Sequence, residues 1–144
     1  MVENPLDSIE FSQTYFYTFF VTDERYWKGI QRFNERDFFE AHEILESLWH
    51  EYRESDRPYL QALIQVSAGL YHADAGNYRG ARSQLTKGLQ KLNQYPGAYQ
   101  GIDVHMLAKD IGTCLAVLDT LEHGNTEFST QSFFPQINIM SDHS

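Results

Sequence analysis

Sliding the chain against itself by 40 residues brings its two best-patterned stretches into register. Gly29 meets Gly69, Phe38 meets Tyr78, Ala41 meets Ala81, Leu45 meets Leu85 and Trp49 meets Leu89. Each stretch reads as the end of one helix, a tight turn and a longer helix. Apolar positions recur at the three- and four-residue spacing that lines one face of a helix. An alanine in the first turn of each second helix lets its partner approach closely. Two helix hairpins of one spacing predict an all-α fold.

The periodicity predicts about five helices in an orthogonal or up-down bundle, with hairpins that resemble the tetratricopeptide type. The first is expected over about 23–33 and the second over about 37–52, with Asp37 as its N-cap. Pro58 suits the first turn of a third helix that runs to about Ala75. The turn Gly76-Asn77 leads into a fourth helix over about 78–92. After the break at Pro96-Gly97, a fifth is expected over about 103–122, with Val104, Leu107, Ile111, Leu115, Leu118 and Leu121 as its apolar face. Residues 1–22 are expected to be an aromatic N-terminal arm, 23–123 a single helical domain, and 124–144 a flexible polar tail. That tail contains one apolar piece, Phe133 to Met140. The crowded aromatics Phe11, Tyr15, Phe16, Tyr17, Phe19, Phe20, Tyr26 and Trp27 cap the bundle, form a subunit interface or, third, offer a ligand surface.

Twenty acidic and 11 basic residues leave a formal net charge of −9 with neutral histidines. Such a surface disfavours nucleic acid and anionic membrane as general partners. The charge is uneven: 13 acids and 6 bases precede Pro58, whereas 5 of each lie between Pro58 and His123. Arg79, Arg82, Lys87 and Lys91 occupy one helix without an acid, which reads first as a solvated face that serves solubility, and otherwise as a face that lies against the acidic second helix or offers a small anion site. Cys114 is the sole cysteine, so no internal disulfide can form, and its apolar surroundings mark it as a core residue. No signal peptide or membrane span is evident in the pattern, so a cytoplasmic setting is expected.

The second helix carries the chemistry-bearing anomaly. His42 and Glu46 stand four apart and share one helix side, on the edge of the apolar stripe Phe38, Ala41, Leu45 and Trp49. The third helix carries Gln61, Gln65, Ala68 and His72 within about 60° on a helical wheel. A short link makes the two helices antiparallel neighbours. His42, Glu43, Glu46, Trp49, Gln61, Gln65 and His72 are therefore the expected polar groove. In the second hairpin Arg82, Ser83 and Thr86 replace His42, Glu43 and Glu46, so hairpin geometry itself does not require those side chains.

Three chemistries fit this constellation. Histidine, glutamate and glutamine can satisfy one another as a buried network that locks two helices in register. His42, Glu46 and His72, the candidate catalytic residues, suit general acid–base work with Glu46 orienting the ring. The same three, completed by Glu43 or water, are metal-ligand candidates for zinc, iron or manganese, although the paired motifs of di-iron bundles and the second histidine of zinc proteases are absent.

The run Phe33-Asn34 through His42-Glu43-x-x-Glu46-x-x-Trp49, with Gln61-x-Leu-Ile-Gln65-x-x-Ala68-x-x-Tyr71-His72 and Gly76-Asn77-x-x-Gly80-Ala81, resembles the helical family catalogued as domain of unknown function 309. The likeness extends over about Arg25 to Leu92. It implies an all-helical domain and carries no substrate, reaction or partner with it. The family pattern falls on His42, Glu43, Glu46, Trp49, Gln65, His72 and Ala81. Arg36 stands where that pattern commonly has glycine, so the turn must form without one.

These readings together point first to a non-catalytic interaction or scaffold protein, self-associating as a homodimer or meeting an unidentified protein partner, with no cofactor. The alternative is a metal-dependent or acid–base enzyme, a small-molecule hydrolase or isomerase, working in the groove between the second and third helices.

Overall fold

The computed structural model describes residues 20–52, 56–124 and 133–140. The chain is all-α in architecture. Helices α1 (Glu24–Asn34), α2 (Phe38–Glu51), α3 (Arg57–Asp74) and α4 (Tyr78–Leu92) run in succession. A two-stranded hairpin, β1 (Ala98–Tyr99) and β2 (Ile102–Asp103), then leads into α5 (Val104–Glu122). Each helix packs chiefly on the next in sequence, so the acidic α2 lies on α1 and α3, and the basic α4 lies on α3 and α5. The basic residues of α4 find partners accordingly: Arg82 pairs with Glu122 of α5, and Lys91 donates to Gln65 of α3.

Polar side chains start the helices. Asp23, Asp37, Asn77 and Asp103 each accept a hydrogen bond from a backbone N–H in the following first turn. The two hairpins repeat each other bond for bond. In the first, Asp37 N–H donates to the Arg32 carbonyl and Arg36 N–H to the Phe33 carbonyl; in the second, Asn77 N–H donates to His72 and Gly76 N–H to Ala73. This closing motif needs a left-handed residue at its centre. Gly76 supplies it at φ 84°, and Arg36 adopts it at φ 69° despite its side chain. The helices touch at equivalent points as well. A Cβ added to Gly29 would lie 2.7 Å from the Leu45 side chain, and one added to Gly69 would lie 2.7 Å from Leu85.

The core runs through all five helices, with Tyr26, Ile30, Phe33, Leu45, Leu48, Tyr59, Leu63, Leu70, Leu85, Leu107 and Ile111 buried. Phe20 sits in a single 3-10 turn, stacks on Tyr59 and is buried. The remainder of the expected aromatic arm, residues 1–19, lies outside the described residues.

Two features differ from the sequence expectation. The first is the β-hairpin, in a stretch read only as a break. Its loop is Gln100-Gly101, both at positive φ, and it closes over Trp27. The second is the C-terminal piece 133–140, expected in a flexible tail, which is docked as a belt. Phe134 packs edge-on against Phe38 and Ile137 is buried. The Asn34 side chain takes both sides of Ile137: its amide donates to the Ile137 carbonyl at 3.0 Å and its oxygen accepts from the Ile137 N–H at 2.7 Å. Asp103 N–H donates to the Asn138 carbonyl and Met140 N–H to that of Gly101, so the belt runs beside β2. Apolar anchors spaced along the piece bury against a preformed face, which outweighs its polar flanks.

Candidate functional site

His42 sits on α2 and His72 on the antiparallel α3, and the two line one pocket of about 190 Å³. Phe39, Ala68 and Tyr71 complete the lining. Phe39 and Tyr71 are 51% and 46% exposed, and their ring centroids are 5.6 Å apart, so the mouth is aromatic. Ala68 contributes only a methyl group, which leaves the space open.

The expected convergence of His42, Glu46 and His72 is made only in part. His42, Glu43 and Glu46 bring one ligand atom each within 4.8 Å of one another. His42 Nδ1 lies 3.3 Å from a Glu43 carboxylate oxygen. His72 is not of this group; its Nδ1 lies 3.3 Å from the Asn77 amide nitrogen. The orientation of that amide is settled by its other end, because Asn77 Oδ1 accepts from Gly80 N–H at 3.0 Å as the N-cap of α4. Asn77 Nδ2 is thus the donor and His72 Nδ1 the acceptor. The neutral ring then carries its proton on Nε2, which suits it to donate to a ligand and not to bind a metal.

The remaining groove residues separate. Gln65 accepts from Lys91 at 2.9 Å and so turns toward α4, away from His42. Gln61 is half-buried on α3, one turn nearer its start. Trp49 packs against the core beneath the Arg57 guanidinium, which lies 3.9 Å from its ring. Its indole N–H is buried and has no hydrogen-bond partner among the described residues. The proposed network of mutually satisfied polar groups between α2 and α3 is therefore not what the side chains form.

A buried polar network does exist at the opposite end of these helices, in residues the sequence reading did not single out. Asp56, 7% exposed, accepts from the Tyr99 hydroxyl and the Gln100 amide, each at 2.6 Å. Burial raises its pKa against those two bonds. Tyr26 donates to the Gln100 carbonyl, so Tyr59 must be the donor in the 2.7 Å contact between the two hydroxyls. Burial pushes the pKa of both tyrosines up. Nearby, Arg25 bridges Asp23 and Glu51, and its hydrogen bonds hold the Asp23 carboxyl down at about 2. Both clusters tie elements together. Cys114 is buried, which pushes its thiol up to about 12, and it donates to the Phe133 carbonyl in the belt.

Comparison with known proteins finds two likenesses. Residues 26–84 match the family model described as domain of unknown function (DUF309). The chain is also 31% identical over 107 residues to an uncharacterised protein, YpuF, of Bacillus subtilis (strain 168). That alignment covers 74% of this chain and 52% of YpuF, so the chain spans about half the length of that relative. The matched residues run from the first turn of α1 through α3 and into the first two turns of α4, and they take in the His42–His72 pocket. No helix among the described residues is long and apolar enough to cross a membrane.

Proposed function

We propose that the chain is a non-catalytic interaction module that self-associates through the aromatic-rimmed pocket between α2 and α3. One observation carries the reading: Phe39 and Tyr71 stand side by side, half exposed, over a pocket the size of a single amino-acid side chain. Exposed aromatic pairs beside a concave site are the usual anchors of protein interfaces. A pocket of this volume is below the range typical of small-molecule sites.

Charge favours a second copy as the partner. Helix α2 carries four acids and no lysine or arginine, whereas α4 carries four bases and no acid. The two helices do not pack together within one chain, so α2 of one copy and α4 of another are complementary. A two-fold dimer would make that contact twice. Recurring hairpins akin to tetratricopeptide units, and a cytoplasmic setting for a protein with one free cysteine, belong to the same reading. The enzyme alternative draws on the His42–Glu43 contact at the pocket wall, which would fix the ring tautomer for proton transfer.

Sedimentation equilibrium of the full chain tests the proposal. The expected mass is that of a dimer, weakening at high salt and lost in Phe39→Glu. A monomer at all concentrations, or a dimer indifferent to Phe39→Glu, Tyr71→Glu and salt, would overturn it.

A further inference from the structure

We infer that His42, Glu43 and Glu46 form a site for one divalent first-row transition-metal ion at the edge of the pocket. The donor set is one imidazole and two carboxylates, the mixture that zinc, manganese and ferrous iron accept. Their ligand atoms lie within 4.8 Å of one another. Ligands about 2.1 Å from a tetrahedral metal stand about 3.4 Å apart. The His42–Glu43 separation of 3.3 Å matches that spacing without movement. Bringing Glu46 into place needs only a side-chain adjustment on the same helix face, one turn on.

Three further observations separate this group from a solvated acidic surface. Glu46 is half-buried, and among the described residues it has neither a hydrogen bond nor an ion pair. Helix α2 holds no lysine or arginine that could neutralise Glu43 and Glu46, which stand three apart and repel each other. The equivalent positions of the second hairpin are Arg82, Ser83 and Thr86, so the fold builds the same helix without these ligands. His42 also lines the pocket, which leaves the remaining coordination position of a three-ligand ion open to water or to a group bound there. His72, across the pocket and outside the ligand group, offers its Nε2 proton as a hydrogen-bond donor. The ligands all come from one helix of one chain, so metal uptake is independent of self-association.

Titration calorimetry of the full chain, freed of affinity tags and stripped with chelator, tests the site with zinc chloride. One zinc per chain is expected. His42→Ala and Glu46→Gln should each weaken binding about tenfold or more, and His72→Ala should leave it within about twofold. Glu46→Gln keeps the shape of the side chain, so the test stands even if His42→Ala unfolds the helix. Circular dichroism would confirm that each variant is folded. Absence of stoichiometric uptake, uptake unchanged in Glu46→Gln, or equal loss in His72→Ala would overturn the assignment. Measuring the mass with and without zinc keeps this result separate from that for the dimer.

Discussion

Replacing Gly76 with alanine should destabilise the domain by about 1–2 kcal/mol, the cost of holding an ordinary residue in the left-handed region. Gly76 has φ 84°, and a Cβ built on it meets nothing within 4 Å. The whole effect must therefore come from the backbone, with no steric term to confuse it. Gly112 provides the control. It lies within α5, and its added Cβ also meets nothing within 4 Å. There the same substitution should stabilise by about 0.5–1 kcal/mol, because glycine is a poor helix residue. For a chain of 144 residues the entropy of unfolding is about 0.3 kcal/mol/K, so Gly76→Ala should lower the melting temperature by roughly 3–7 °C. Gly112→Ala should raise it by roughly 2–3 °C. Paired thermal melts read both. Shifts of the same sign would show that the turn geometry assigned to the hairpins is wrong.

Two further outcomes follow from bonds described above. Asp23→Asn keeps an N-cap side chain but removes the charge facing Arg25. The lowered Asp23 pKa means its carboxylate stabilises the fold above 3.8, and that contribution fades as pH falls toward about 2. Urea midpoints should therefore show a deficit of about 1–2 kcal/mol in Asp23→Asn at neutral pH that closes through this acid window; a deficit independent of pH would refute the charge argument. Asn34→Ala strips both hydrogen bonds from Ile137, and should cost about 1–3 kcal/mol while speeding exchange of the Ile137 amide hydrogen. Unchanged exchange at that amide would mean that the Asn34 side chain does not hold the belt.

The helices were legible because their signals are local. Asp37, Asn77 and Asp103 cap the elements they were read to open or adjoin, and Pro58 lies in the first turn of α3. The 40-residue offset carried through to matching turn bonds and matching glycine–leucine contacts. Arg36 shows the limit of such reading, since a charged residue takes the conformation its counterpart Gly76 takes freely. The belt and the Asp56 network were not legible because their partners lie far away in sequence; the Asn34–Ile137 bonds span 103 residues. The site was read in part. His42 and His72 do share a pocket, as antiparallel helices require. Gln65 and Ala68 lie at opposite margins of the same stripe, about 60° apart, which is enough to turn one toward α4 and the other toward α2. Phe39 carried no signal beyond falling off the apolar stripe of its helix.

The belt also imposes an order on assembly. From an unfolded chain, joining Asn34 to Ile137 closes a loop of 103 residues. With the five helices already stacked, only the nine-residue step from Gly124 to Phe133 remains to be constrained. The entropic cost of closure falls by about 2 kcal/mol between those two situations. Strapping the first hairpin is thus cheapest as a last act, and its equilibrium constant reports whether everything beneath it is already in place.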